Sequence, residues 1–441
     1  MSPWRSRIFT VLILTASILT ITATAKAGNW PQLRGPNFNG STDETDLPTD
    51  WSRTKNIKWM VDLPGASAAT PIVWDDYVFV STTDDETDSI WTMAIKNGKI
   101  AWRYKVSDEI RQDSRSNYAS PTPVTDGQTV IFFFGNGEMV AHGTQGQILW
   151  RRNIQKSYGP FAFLWTFSSS PVLYDGQLFL QVLQRDVPVS GRGRSDGKNE
   201  SYLLAIDPET GSTIWRHVRP SNAKAESLES FGTPLPFEHN GRKELVVVGG
   251  DDITGHDVES GKELWRWGTW NPDRITHWRL VPSPVAGGGV ILACAPKRSP
   301  IFAVKAGGKG QLSNDSIKWD TQESRDLTSD VPTPAFYDGD FFVLSDIRKR
   351  LARVDPKTGE IKWSMQTPGR VKYEASPLVA DGKVYLINFV GTVVVVDAKD
   401  GKIINEISMD DPADDAVRSS VVAANGELYI RVNRKLYCVR E

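Results

Sequence analysis

The sequence predicts an all-β protein, an eight-bladed β-propeller of four-stranded antiparallel blades. Three observations predict it. A small-residue phrase recurs eight times, a Trp recurs near the end of most repeats, and one Trp-bearing strand stands ahead of the first repeat. Self-similarity with a period of about 40–50 residues marks propellers and solenoids. Solenoid rungs are shorter and need no regular four-strand phrase.

The phrase opens each unit: "ATPIV" at Pro71, "PTPVT" at Pro123, "SSPVL" at Pro171, "GTPLP" at Pro234, "PSPVA" at Pro284, "PTPAF" at Pro334 and "ASPLV" at Pro377. "RSSVV" is the eighth, read with Ser420 in the place of Pro. Small residues suit an innermost strand, where strands crowd toward the axis, and Pro is tolerated at a strand start. A second strand follows across an Asp-Gly turn, as in Asp175-Gly176 and Asp381-Gly382, which reads as a hairpin. The third strand ends in Asp at Asp207, Asp257, Asp355 and Asp397, and a Gly follows at Gly211, Gly261, Gly359 and Gly401. An Asp side chain accepts from the amides of such a turn, and Gly takes the positive φ at its exit. The fourth strand carries Trp102, Trp150, Trp215, Trp265, Trp319 or Trp363. One large aromatic per outer strand fills the gap to the next blade, with its indole N–H given to backbone.

The eighth unit stops at Glu441 after three strands, and "NIKWMVD" (56–62) supplies the fourth from the other end, with Trp59 as its Trp. Pairing the first strand with the last removes the open edge. The seventh unit has Asn405 where Trp is expected, which predicts a weaker junction between blades 7 and 8. The domain reading is therefore a signal peptide (1–27), an N-terminal extension (28–55) and the propeller (56–441).

The leader reading rests on Arg5 and Arg7, the apolar run that follows, and the small-x-small site Ala25-Lys26-Ala27. It predicts export to the periplasm or beyond, with the leader either cleaved or kept as an anchor. No later segment is apolar enough to span a membrane. The net charge of −2 gives no reason to expect nucleic acid. The two cysteines, Cys294 and Cys438, fall in non-adjacent units, so two buried thiols are expected rather than a disulfide. The five His are scattered without metal or triad spacing.

The phrases "LAIDPETGSTIW" and "ARVDPKTGEIKW", with the opener "NWPQLRGPNFNG", resemble the PQQ-like repeats of BamB-like periplasmic proteins and of quinoprotein dehydrogenases. The resemblance covers residues 29–441. It implies the propeller fold and leaves two activities open. One is an exported binding or scaffold protein without cofactor, a monomer taking a protein partner or small polar ligand. The other is a dehydrogenase that holds PQQ, commonly with Ca²⁺, and oxidises an alcohol or sugar. Many such dehydrogenases carry a vicinal Cys-Cys pair over the quinone, and this sequence has none. No catalytic residue carries over.

Propeller ligands usually sit where loops converge at one axial mouth. The outer-to-inner crossovers place Tyr118, Glu229, Arg279, Asp330, Lys372, Tyr373, Glu374 and Arg418 there as candidate ligand-binding residues. Further candidates are the aromatic run "FAFLWTF" (161–167), the Trp/Arg-rich stretch 265–279, the insertion 184–201 with Arg192 and Arg194, and the acidic runs 84–88 and 410–415. Packing against the propeller is the plainer reading of the aromatic run, and a passive or solvated loop that of 184–201 and the acidic runs, whereas 265–279 fits a packed crossover as well as a binding surface.

Overall fold

The computed structural model describes residues 28–268, 270–322, 327–409 and 416–441. The leader and the acidic run 410–415 lie outside them. Eight sheets form a ring of antiparallel meanders. The innermost strands, blades 1 to 8 in order, are Ile72–Trp74, Val124–Thr125, Val172–Tyr174, Leu235–His239, Val285–Gly287, Ala335–Tyr337, Leu378–Ala380 and Val422–Ala424. Blade 4 has a fifth, parallel strand, Gly310–Gln311, against its outer edge at Glu263–Trp267.

Blade 8 is closed by the first strand of the chain. Ile57–Asp62 pairs antiparallel with Lys435–Val439, with Trp59 opposite Cys438. Lys58 Nζ donates to the buried Glu427 of the same blade at 2.6 Å, which adds an ion pair to the ladder. Cys438 and Cys294 are both free and buried.

The apolar clusters lie between blades rather than within them. One joins blades 2 and 3 through Phe133, Phe167, Leu180 and Leu204, and another joins blades 6 and 7 through Phe342, Leu386 and Val394. The outer-strand Trp side chains seal these seams. Indole Nε1 donates to a carbonyl of the next blade from Trp102 (Thr144, 2.9 Å), Trp150 (Pro208, 2.8 Å), Trp215 (Val258, 3.0 Å), Trp319 (Pro356, 2.8 Å) and Trp363 (Ala398, 3.1 Å). Each ring lies on the glycine of that blade's last turn. A Cβ on Gly401 would come within 2.7 Å of the Trp363 ring, and Gly401 has φ +76°. The Asp before that turn caps it: Asp397 Oδ1 accepts from the amides of Lys399 at 2.7 Å and Asp400 at 3.2 Å. Trp265 departs from the backbone rule. It is buried, and its N–H goes to Glu244 Oε2 at 2.7 Å.

The seam expected to be weak is filled from elsewhere. Blade 8 has no turn into its outer strand, because that strand comes from the N-terminal side. The segment before Ile57 occupies the space instead. Trp51 is buried there with its Nε1 on Met409 Sδ at 3.3 Å, and Asn405 Nδ2 donates to Thr49 O at 2.9 Å. Asn405 is polar because it meets a backbone carbonyl rather than a glycine turn.

The opening phrase has a second structural role, and its register needs one correction. The residue before each Pro carries a hydroxyl, and its amide donates to the equivalent hydroxyl of the next blade. The chain of bonds runs Thr70 to Thr122, Ser170, Thr233 and Ser283 at 2.9–3.2 Å. It continues through Thr333, Ser376 and Ser420 and back to Thr70 at 2.9–3.3 Å, closing a ring. Ser420 therefore aligns with Thr70, and Val421 stands in the proline position. The Ser-Ser doublet made the two alignments indistinguishable in sequence.

Candidate functional site

The ring leaves an axial channel, and one end of it is blocked. Residues 29–41 cross the face that carries the first hairpin turns. Trp30 pairs with Val73 of blade 1, Pro31 O accepts from Thr125 of blade 2, and Gln32 Oε1 accepts from Leu173 of blade 3 at 3.0 Å. On the far side, the carbonyls of Asn39 and Gly40 accept from Phe336 and Val379 of blades 6 and 7. Arg34 is buried and donates to Pro334 O at 2.8 Å and Pro377 O at 3.3 Å. Among the described residues it faces no carboxylate, and burial pulls its guanidinium down to about 9.

Leu33 of this crossing segment reaches the bottom of a cavity of about 510 Å³ that opens at the other end. That mouth is built from outer-to-inner crossovers and second-to-third-strand loops. The residue two places before each ring hydroxyl lines it. These side chains divide by side: Phe231, Val281 and Val331 from blades 4–6 are large and apolar, whereas those of blades 7, 8, 1, 2 and 3 are polar or small, namely Glu374, Arg418, Ala68, Ser120 and Ser168.

Five of the eight candidate residues line this cavity: Arg279, Asp330, Lys372, Glu374 and Arg418. Three do not. Glu229 is fully buried under the 161–167 crossover, where it accepts from Leu164 N at 3.0 Å and pairs with Arg185. Tyr373 is turned into the seam between blades 6 and 7, with its OH on Pro368 O at 3.0 Å. Tyr118 packs into the seam between blades 1 and 2. A crossover sends successive side chains to opposite sides, so position near the mouth does not fix direction.

Other lining groups were not among the candidates. Arg115, one of them, lies over the Trp165 ring at 5.8 Å, with Arg279 over the same ring at 5.5 Å. Trp165 is the aromatic of that run that forms the wall, beside Thr166; Phe161, Phe163 and Phe167 are core. Lys297 and Arg298 sit on the turn between the second and third strands of blade 5, both with left-handed backbone (φ 58° and 68°). Two consecutive non-glycine residues in that region cost energy, which the fold tolerates most often at binding sites. Lys349 and Asp346 come from the corresponding turn of blade 6. The signal that could have found these was the loop after the second strand, which the candidate set did not draw on.

The lining holds seven Lys or Arg against three carboxylates, Asp330, Asp346 and Glu374. Each of those carboxylates has at least one oxygen on a protein donor. Glu374 Oε2 accepts from Arg418 Nε at 2.9 Å, and Lys372 lies 3.7 Å from its Oε1. Asp330 Oδ1 accepts from Lys297 N at 2.6 Å, and Asp346 Oδ1 accepts from Asp330 N at 3.0 Å. Burial raises the Asp346 carboxyl to about 6, with Asp330 and Glu374 adding like charge. Among the described residues, no group of three or more His, Cys, Asp and Glu is placed to hold a metal ion. Ca²⁺ takes six to eight oxygens, and the three carboxylates of the mouth do not converge on one point.

The remaining candidates are structural in their contacts. In 265–279, Trp267 and Trp270 are buried, and Asn271 and Arg274 are bonded to Asp251. Arg192 donates to the carbonyls of Phe163 and Leu164 at 2.9 Å, so the 184–201 insertion supports the crossover that carries Trp165. Arg194 pairs with Asp196. In 84–88, Asp84 caps its own turn and Asp85 pairs with Arg434 of blade 8.

A sequence model described as outer membrane protein assembly factor BamB, of the PQQ-repeat type, matches residues 41–185, 144–311 and 199–440 in overlapping passes. The chain belongs to the BamB-type PQQ-repeat family. A quinohemoprotein alcohol dehydrogenase from Comamonas testosteroni is 25% identical over 322 residues, which is 68% of this chain and 39% of that protein. This chain thus matches well under half the length of that relative. Among solved structures, BamB from Moraxella catarrhalis superposes with a TM-score of 0.60 at 12% identity, covering 87% of this chain and 98% of the other. The C. testosteroni dehydrogenase superposes with a TM-score of 0.63 at 14% identity, covering 94% and 80%. At these identities the likeness is one of fold.

Proposed function

We propose that this PQQ-repeat propeller is an exported binding protein whose axial mouth takes an anionic group, carried by a small ligand or by a protein partner. The observation that carries the reading is the excess of cationic over acidic side chains around a deep, one-ended cavity. Field lines from such a cleft focus on a ligand of opposite sign. Trp165, with a guanidinium on its ring, adds an aromatic wall for a planar or apolar portion of that ligand. The BamB-type repeats and the name of that family as an assembly factor support a role in binding rather than turnover. Each of the three mouth carboxylates has an oxygen on a protein donor, which favours the binding reading over a quinone dehydrogenase.

The test is a titration of intrinsic Trp fluorescence with citrate and with PQQ plus Ca²⁺, followed by dye reduction over alcohols and sugars. Saturable citrate binding that weakens with added salt, and falls at least several-fold in Lys297→Gln/Arg298→Gln, is the expected result. PQQ-dependent turnover would overturn the binding reading in favour of a dehydrogenase.

A further inference from the structure

The ring of hydroxyls has a property that its stitching role does not use. Each Oγ accepts one amide from the preceding blade. None of the eight donates its own proton to any acceptor among the described residues. Seven of these eight residues are at least nine-tenths buried, Ser376 being the exception. A buried hydroxyl whose donor is unspent is unusual, because such groups are generally paired with protein or a bound molecule. Five of the eight, Thr70, Thr122, Ser170, Ser376 and Ser420, border the cavity. They belong to blades 1, 2, 3, 7 and 8, which are neighbours in the ring, so they form one continuous arc. On the opposite side, Phe231, Val281 and Val331 occupy the cavity wall above the other three hydroxyls.

We propose that this arc is an anion seat: five O–H donors at the floor of the mouth that hold a carboxylate, sulfate or phosphate group near the axis, while the apolar half-wall receives the rest of the ligand. The proposal rests on the reading of the mouth as an anion site and adds where the charge sits. Sign and geometry favour an anion over a cation. The arc presents unspent donors, and the charges above it are mostly Lys and Arg. A metal ion would need several converging anionic oxygens, and among the described residues no such group is present. The seat also explains the asymmetry of the wall. A hydroxyl ring with eightfold repetition would bind equally on all sides, and the three apolar side chains restrict access to one arc.

The test uses the whole protein and has two independent readouts. Crystals soaked in bromide, read by anomalous scattering, should show the ion beside the arc hydroxyls, above Leu33. In solution, sulfate, phosphate and malonate are titrated against wild type, Thr122→Val, Ser376→Ala, Thr122→Ser and the Lys297→Gln/Arg298→Gln rim variant. Loss of one hydrogen bond to a charged group should weaken binding by about ten-fold or more in Thr122→Val and Ser376→Ala, with Thr122→Ser close to wild type. The best-bound anion of the three identifies the headgroup chemistry. Bromide only at the rim, with hydroxyl variants binding as wild type, overturns the seat and leaves the anionic mouth standing. No binding of any anion overturns both. Because Thr122→Val also removes the acceptor of the Thr70 amide, the wild-type bromide position decides the matter if that variant does not fold.

Discussion

Asp346 shows how a single side chain reports on the mouth. Its carboxyl is raised to about 6 in the folded protein, against an ordinary value of 3.8. The folded state therefore binds more protons than the unfolded chain between those values, and stability falls as pH rises through that window. Above about pH 6 the buried charge is a standing cost, on the order of 2–3 kcal/mol for a shift of that size. Asp346→Asn keeps an acceptor for the Asp330 amide and removes the charge. Its melting temperature should exceed wild type at pH 7.5, and the gain should vanish near pH 4. Equal curves at both pH values would show that Asp346 is not held away from its normal titration. None of this was visible in the sequence, where Asp346 is one acidic residue in a turn. By contrast, Arg279 and Arg418 do line the cavity, because the crossover ahead of a repeated phrase is itself repeated. Glu229 and Tyr373 face away from it, because repetition fixes where the backbone is and leaves side-chain direction to local packing.

At the scale of elements, repetition made most of the fold legible. The Asp-turn-Gly-strand-Trp phrase encodes a cap, a left-handed exit and an aromatic plate, and all three are local. What the sequence hid was non-local substitution. Trp51 does for one seam what Trp363 does for another, yet nothing in its surroundings resembles the repeat. The strand Ile57–Asp62 carries the strongest element-scale prediction. Deleting 56–62 removes Trp59 and Val61 from the seam, breaks the Lys58–Glu427 pair and leaves Lys435–Val439 as an open edge. The loss should exceed the about 3–5 kcal/mol expected from truncating one buried aromatic. Chemical denaturation measures it, and proteolysis should begin in blade 8. A deletion variant that unfolds like wild type would refute the closure.

For the whole molecule, a ring of eight blades has no central core, and the axis is its least packed region. The crossing segment fills one end of that axis and bonds to five of the eight inner strands, so it acts across the ring rather than between neighbours. Removing residues 28–40 should lower the melting temperature by roughly 2–5 °C, a shift that corresponds to a few kcal/mol in a protein of this size. It should also weaken anion binding, because Leu33 no longer closes the floor. Calorimetry on the truncated and full chains checks both. If stability is unchanged, the segment is a passive cover.

The same segment fixes an orientation. Gly28 lies against Asn425, and Asn29 accepts from the Asp75 amide, so the described chain begins at the first hairpin turns of blades 8 and 1. The mouth is at the opposite pole. Anything attached ahead of Gly28 would leave from the blind side, and a tether there would present the open cavity outward, like a cup standing on its base.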